Sequence, residues 1–391
     1  MDARGGMKER RSSSTAQIVR STAGVGLLAF PESRPRGFRR PSGTAEKIFN
    51  AGSILLLVLF AMGWSWSIAR ARATGEGGTV TPATARITSA LTQGGSPSAA
   101  YLTDAALAAL ATPARGESGK LRVRIQQPGT QISSILADTT HGVVPSFSAG
   151  GAQEATSGYT APRRAGIWSL ALKVGNAIKP LANFSVITLR PAADKKGGRL
   201  GLYYIGNWPA AKAVRPGVVY EPPNGFIEVT QQTQNTQLSD HFKLRDFFPK
   251  DQQNVWPKYI VVDTKLIDKL ELILSDLESR GINPRGVKVM SGFRTPQYNS
   301  GVGDTRGRAS LSRHMYGDAA DVFIDNDGNG GMDDLNKDGR VNIADAVVIR
   351  EAAVRVERAH PSLIGGTGVY SATSAHGPFT HIDTRGYSAR W

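Results

Sequence analysis

Apolar positions fall into three regimes along the chain. Phe49–Ala69 is a continuous block without a charged residue. After a long stretch with only scattered apolar pairs, the runs Trp168–Val174, Phe184–Leu189, Arg199–Ile205 and Phe226–Val229 alternate with a period of two. Strand-length runs separated by Gly, Pro and Asn clusters predict a small all-β unit over residues 166–235. Beyond it the period lengthens. Leu266, Leu270, Ile273, Leu274 and Leu277 share one helical face, Asp263 or Thr264 can cap its start, and Gly281 can end it, which predicts a helix to about Ser279. Val287 and Val289 predict a short strand, Ile343–Arg358 a second helix stopped by Pro361, and Phe379–Asp383 a final strand.

The first block is long enough to cross a bilayer as a helix, which takes about 20 apolar residues. Residues 1–48 carry ten Lys+Arg against four Asp+Glu, so the positive-inside rule expects a cytoplasmic tail over 1–48, a transmembrane helix over 49–69 and export of the rest. This places everything after Ala69 on the outer side of the membrane. Ala71-Arg72-Ala73 keeps a second reading open, a cleaved signal peptide. Residues 70–165, rich in Ala, Gly, Ser, Thr and Pro, read as a flexible linker. Within it only Ser89–Thr112 has a weak helical pattern and Lys120–Ile125 a weak strand pattern.

Charge then changes the picture of partners. The chain of 391 residues holds 47 Lys+Arg and 32 Asp+Glu, a net +15, of which the N-terminal tail supplies +6. The part expected outside is therefore only +9, which disfavours nucleic acid and leaves an anionic partner such as a cell-wall polymer. The absence of Cys excludes a disulfide framework, a Cys-based zinc finger and a thiol nucleophile, and leaves His and carboxylates as metal ligands.

Two of the six His stand in paired motifs with Asp. In His314-Met315-Tyr316-Gly317-Asp318-Ala319-Ala320-Asp321 the seven-residue separation is too long for a shared ion on either a helix or a strand. A chain reversal at Gly317 removes that obstacle, and Ala319 and Ala320 leave room for close approach. His381 and Asp383 share one face of the expected last strand. Two His and one carboxylate, with a fourth position for water, form the ligand set of a hydrolytic zinc site. The competing reading is a pair of hydrogen-bonded structural histidines.

Ser312-x-His314-x-x-Gly317-x-Ala319-x-Asp321 resembles the signature of the zinc D-alanyl-D-alanine carboxypeptidases and their murein endopeptidase relatives. Ser291–Asn299, Gly365–Tyr370, the His381-x-Asp383 pair and the closing Arg390-Trp391 are similar to further segments of that family, over about residues 240–391. The resemblance implies an α+β C-terminal domain over 236–391, an antiparallel sheet with flanking helices. It implies zinc held by His314, Asp321 and His381, peptidoglycan stem peptides as substrate, and Arg294 as a clamp on a substrate carboxylate or carbonyl; a structural salt bridge is the alternative for Arg294. Ser312 would orient a ligand or bind substrate. Many members carry an acid three residues before the last ligand, where this chain has Pro378. That leaves Asp383 and His376 as candidates for proton transfer, with Asp383 alternatively a partner that orients His381. A catalytically silent wall-binding or scaffold protein on the same fold is the second functional reading.

Directly after Asp321 lies an acidic insertion, residues 325–345. Asp334, Asn336, Asp338, Arg340, Asn342 and Asp345 occupy positions 1, 3, 5, 7, 9 and 12 of an EF-hand-like loop with Gly339 at 6, and resemble the calcium loops of dockerin modules. Asp325, Asp327, Asn329 and Asp333 fit a second, weaker copy that ends on Asn336. Structural calcium, bracing the strand that holds Asp321, is the expectation; a solvated acidic loop is the bland alternative.

Overall fold

The computed structural model describes residues 118–132, 143–149, 152–154, 160–174, 177–301 and 308–391. The apolar block 49–69, the basic tail, most of the expected linker and the Ser89–Thr112 pattern lie outside these residues. Among the described residues no helix is long and apolar enough to cross a membrane.

Two of the alternating runs, Trp168–Val174 and Phe184–Leu189, lie in the first sheet. Strands β1 (Val123–Gln126), β2 (Val143–Ala149), β3 (Ala152–Glu154), β4 (Gly166–Val174) and β5 (Ala177–Thr188) are ordered β1-β5-β4-β2-β3, with β1 parallel to β5 and the other pairs antiparallel. Three of these strands come from the segment expected to be linker, where short alternating patches are diluted by Gly and Ser. Phe147, Trp168, Leu170, Phe184 and Val186 fill its buried face.

A meander of short strands follows: β6 (Arg190–Pro191), β7 (Arg199–Leu200), β8 (Tyr203–Tyr204), β9 (Lys212–Arg215), β10 (Val218–Tyr220) and β11 (Gly225–Val229). The single strand expected over Arg199–Ile205 is instead the hairpin β7–β8. Gly201 turns there with φ +57°, and Leu202 is left 81% exposed. Strand β11 then pairs with β12 (Lys258–Ile260) across the expected boundary at residue 235. Leu121, Phe147 and Trp168 belong to the same buried cluster as Leu238, Phe247, Leu266 and Ile382, so the β-rich and C-terminal parts share one core.

The C-terminal part follows the sequence closely. Helix α1 (Thr264–Ser279) starts at Asp263, whose side chain accepts from Lys265 N, and it buries Leu266, Leu270, Ile273, Leu274 and Leu277. Next come β13 (Val287–Ser291), the short helix α2 (Pro296–Gly301), β14 (Ala319–Ile324), α3 (Ile343–Ala359), β15 (Gly366–Tyr370), β16 (Phe379–Asp383) and β17 (Ala389–Arg390). The sheet order is β13-β14-β16-β15-β17, antiparallel except for the β15–β17 pair. Helices α1 and α3 cover one face. Asn342 and Asp345 cap α3 as a reciprocal box: Asn342 accepts from Ala344 N, and Asp345 accepts from Asn342 N.

Candidate metal centre

The register of β14 on β16 sets Asp321 directly opposite His381. His314 reaches the same place by the expected reversal. Residues Arg313–Tyr316 form a single 3-10 turn, Gly317 follows at φ +75°, and the chain runs straight into β14. A Cβ on Gly317 would stand 2.5 Å from the Val261 carbonyl oxygen, so neither the dihedral nor the space admits a side chain. Gly317→Ala is expected to cost about 1–3 kcal/mol from backbone strain alone and to displace His314. A lowered Tm together with lost metal binding checks this.

The three side chains converge. His314 Nε2 lies 3.2 Å from His381 Nδ1 and 3.3 Å from Asp321 Oδ1, and His381 Nδ1 lies 2.9 Å from the same oxygen. Donors on a tetrahedral ion at about 2.0 Å stand roughly 3.3 Å apart. All three residues are buried. The far side of each ring fixes what faces inward. His314 Nδ1 donates to the Gly292 carbonyl at 2.7 Å, and His381 Nε2 donates to Asp383 Oδ2 at 3.0 Å. With those outer bonds made, each ring has its inner nitrogen free to offer a lone pair to a cation beside Asp321 Oδ1; without a cation, His381 Nδ1 donates to that oxygen.

Asp321 Oδ1 between two rings calls for a positive charge, supplied by a metal ion or, without one, by a second proton on His381. Burial would raise the Asp321 carboxyl, but the His314 and His381 rings hold it well below the usual carboxylate range. Burial also opposes charge on His381, yet hydrogen bonds to Asp321 and Asp383 outweigh it and push its pKa up to about 9. Burial pulls His314 down. The donor set of two imidazoles and one carboxylate oxygen fits zinc.

Arg294, expected as a substrate clamp or a structural ion pair, lies against Asp321. Its Nη2 donates to Asp321 Oδ2 at 2.8 Å and its Nε to Ser291 Oγ at 2.9 Å, which leaves Oδ1 as the oxygen that faces the rings. The salt-bridge alternative describes this geometry. Ser312 is buried just ahead of the 3-10 turn, and its carbonyl accepts from Met315 N at 3.0 Å.

Asp383 lies fully buried behind His381. Its carboxylate accepts from Gly366 N at 2.6 Å and from Arg385 N and Nε, and it is ion-paired with the Arg385 guanidinium. Burial would raise its pKa, but His381 and Arg385 hold it well below the usual range. These contacts are those of the orienting alternative for Asp383. His376 is half-buried on the loop before β16, its Nδ1 donating to the Gly377 carbonyl and its ring edge-on to Phe379.

Sequence reasoning missed what supports these residues. Lys269 on α1 is fully buried, and its Nζ donates to Glu357 Oε1 and to the Asp383 carbonyl, both at 2.7 Å. Glu357 is also paired with Arg390, whose Nη1 donates to the Gly365 carbonyl. The Trp391 ring packs 5.2 Å from His381 and donates to Tyr370 OH at 2.6 Å. The signal for Lys269 was present, since a lysine between Leu266 and Ile273 falls on the apolar stripe of its helix.

A two-helix layer over a sheet presents two imidazoles and one carboxylate oxygen to a single point, a donor set suited to a metal ion. Residues 227–391 match the family described as peptidoglycan L,D-endopeptidase MepK, and this C-terminal segment is a metallopeptidase domain of the M15 type. No curated protein and no solved structure matches the chain.

Proposed function

We propose that the chain is a zinc endopeptidase that hydrolyses peptide bonds in peptidoglycan stem peptides or cross-links, with an L,D bond as its target. The convergence of His314 Nε2, His381 Nδ1 and Asp321 Oδ1 carries this reading. The description of the matched family supports peptidoglycan and the L,D bond. Zinc held there would polarise a scissile carbonyl and supply a nucleophile from water at neutral pH. Arg294 fixes Asp321, while the Gly292 carbonyl and Asp383 fix the two rings. The apolar run Phe49–Ala69 and the basic tail before it support a membrane anchor with the peptidase domain outside.

Because Asp383 is committed to His381 and Arg385, we assign proton transfer to His376. His376→Ala is expected to lower kcat by about 10²-fold or more with zinc retained. Unchanged kcat would remove His376 from the reaction.

Pro378, at the position where many relatives carry an acid, is the observation that favours the second reading, a wall-binding protein without activity. Digestion of cross-linked muropeptide dimers and uncross-linked stem peptides, followed by mass spectrometry, separates the readings. An endopeptidase resolves dimers into monomers. A carboxypeptidase removes only the terminal residue, and a scaffold binds both and cleaves neither.

A further inference from the structure

The acidic insertion between β14 and α3 holds two loops of similar sequence, and their side chains are used differently. In the second loop the carboxylates are absorbed by the backbone. Asp345, fully buried, accepts from Leu335 N at 2.8 Å and Asn336 N at 3.3 Å through Oδ1, and from Asn342 N at 2.8 Å through Oδ2. Asp334 accepts from Asp338 N and Gly339 N through separate oxygens. Asn342 and Asp345, expected from their spacing to be calcium ligands, serve instead as the cap of α3. Asn336 accepts from Asp338 N and Asp338 from Arg340 N, so this loop closes on itself.

The first loop makes turn bonds of the same kind, Asp327 Oδ1 accepting from Asn329 N, Asn329 Oδ1 from Gly331 N and Asp333 Oδ2 from Asn326 N, but it leaves a buried carboxylate oxygen over. One carboxylate oxygen each from Asp325, Asp327 and Asp333 lies within 4.8 Å of the others. Asp325 is only 5% exposed, and while its Oδ2 accepts from Gly330 N at 3.2 Å, its buried Oδ1 has no hydrogen-bond partner among the described residues. A buried carboxylate oxygen left unpaired beside two more carboxylates is costly both in desolvation and in mutual repulsion. A hard divalent cation removes both costs, because such ions take oxygen ligands alone.

We infer that Asp325, Asp327 and Asp333 bind a calcium ion at the end of the strand that carries Asp321. Asp325 directly follows β14 and its N–H donates to the Gly286 carbonyl at 2.9 Å; Asp333 N donates back to the Ile324 carbonyl at 2.8 Å. Met332 is buried in the core beside them. Calcium therefore pins the loop 325–333 to the sheet, four residues beyond a ligand of the metal centre. The flexible, partly exposed set favours calcium over magnesium, which demands near-octahedral geometry and keeps its waters.

Thermal unfolding of the full chain, loaded with zinc and freed of calcium, tests this as calcium chloride is added. Tm is expected to rise saturably, by about 5–10 °C at ~100-fold the dissociation constant, with a smaller rise in magnesium chloride at equal concentration. Asp325→Asn is expected to abolish the rise, and Asp338→Asn in the second loop to leave it intact. If Asp325→Asn fails to fold, the exposed Asp327→Asn carries the same expectation. No rise in Tm, a rise that survives these first-loop substitutions, loss of the rise in Asp338→Asn, or an equal response to magnesium would each overturn the assignment. Muropeptide cleavage is scored separately with zinc supplied throughout, so failure of the calcium site and failure of the peptidase reading are distinguishable.

Discussion

Replacing His314 with alanine is expected to abolish stoichiometric zinc binding and to reduce peptide hydrolysis beyond the roughly 10–100-fold that loss of an outer hydrogen-bond partner typically costs a metal site. The substitution removes one of three inward-facing donors and leaves His381 Nδ1 and Asp321 Oδ1 at 2.9 Å from each other. Two protein donors do not fix a tetrahedral ion. The fold should survive, because the change also frees only the Gly292 carbonyl, a cost of about 1–3 kcal/mol. Elemental analysis for zinc and circular dichroism on the same sample separate the outcomes: a folded protein with unchanged zinc content would remove His314 from the ligand set.

The second large effect is on stability. Glu357→Ala is expected to destabilise the domain by about 3–5 kcal/mol, the usual result of breaking a buried pair by removing one partner. Glu357 is 6% exposed and neutralises both Lys269, which is fully buried, and Arg390. Burial already pulls the Lys269 pKa down, and the Glu357 charge opposes that pull. Without Glu357, Lys269 keeps only the Asp383 carbonyl, and Arg390 loses the anion that holds β17 and the Trp391 ring beside His381. A fall in Tm of about 10 °C or more, with weakened zinc affinity, is expected. A Tm within a degree or two of the parent would show the network to be dispensable.

The residues that define the metal centre were legible in the sequence because their constraints are local. His314, Gly317 and Asp321 lie within one reversal, and His381 and Asp383 within one strand face. The helices were legible for a similar reason: apolar spacing, a capping Asp263 and a terminating Gly281 act within a few residues. Contacts between distant segments were not legible. That Arg294 bonds Asp321, 27 residues away, depends on β13 lying beside β14. That Asp383 is consumed by Arg385 and Gly366 depends on β15 lying beside β16. The expected linker showed only a weak pattern for β1 and hid β2 and β3, because pairing of β1 with β5, β2 with β4 and β3 with β2 compensates for weak local pattern. The calcium spacing matched both loops. Only the fold shows that Asp345 caps a helix while Asp325 keeps a buried oxygen unpartnered.

The central claim is that His314, Asp321 and His381 form one hydrolytic zinc centre acting on peptidoglycan. Its most direct measurement is cleavage of cross-linked muropeptide dimers, followed by mass spectrometry while metal-free protein is titrated with zinc in saturating calcium. Product formation is expected to rise to a plateau at one zinc per chain and to be absent in His314→Ala at every zinc concentration. Intact dimers throughout the titration, or cleavage that neither zinc nor His314→Ala alters, would contradict it.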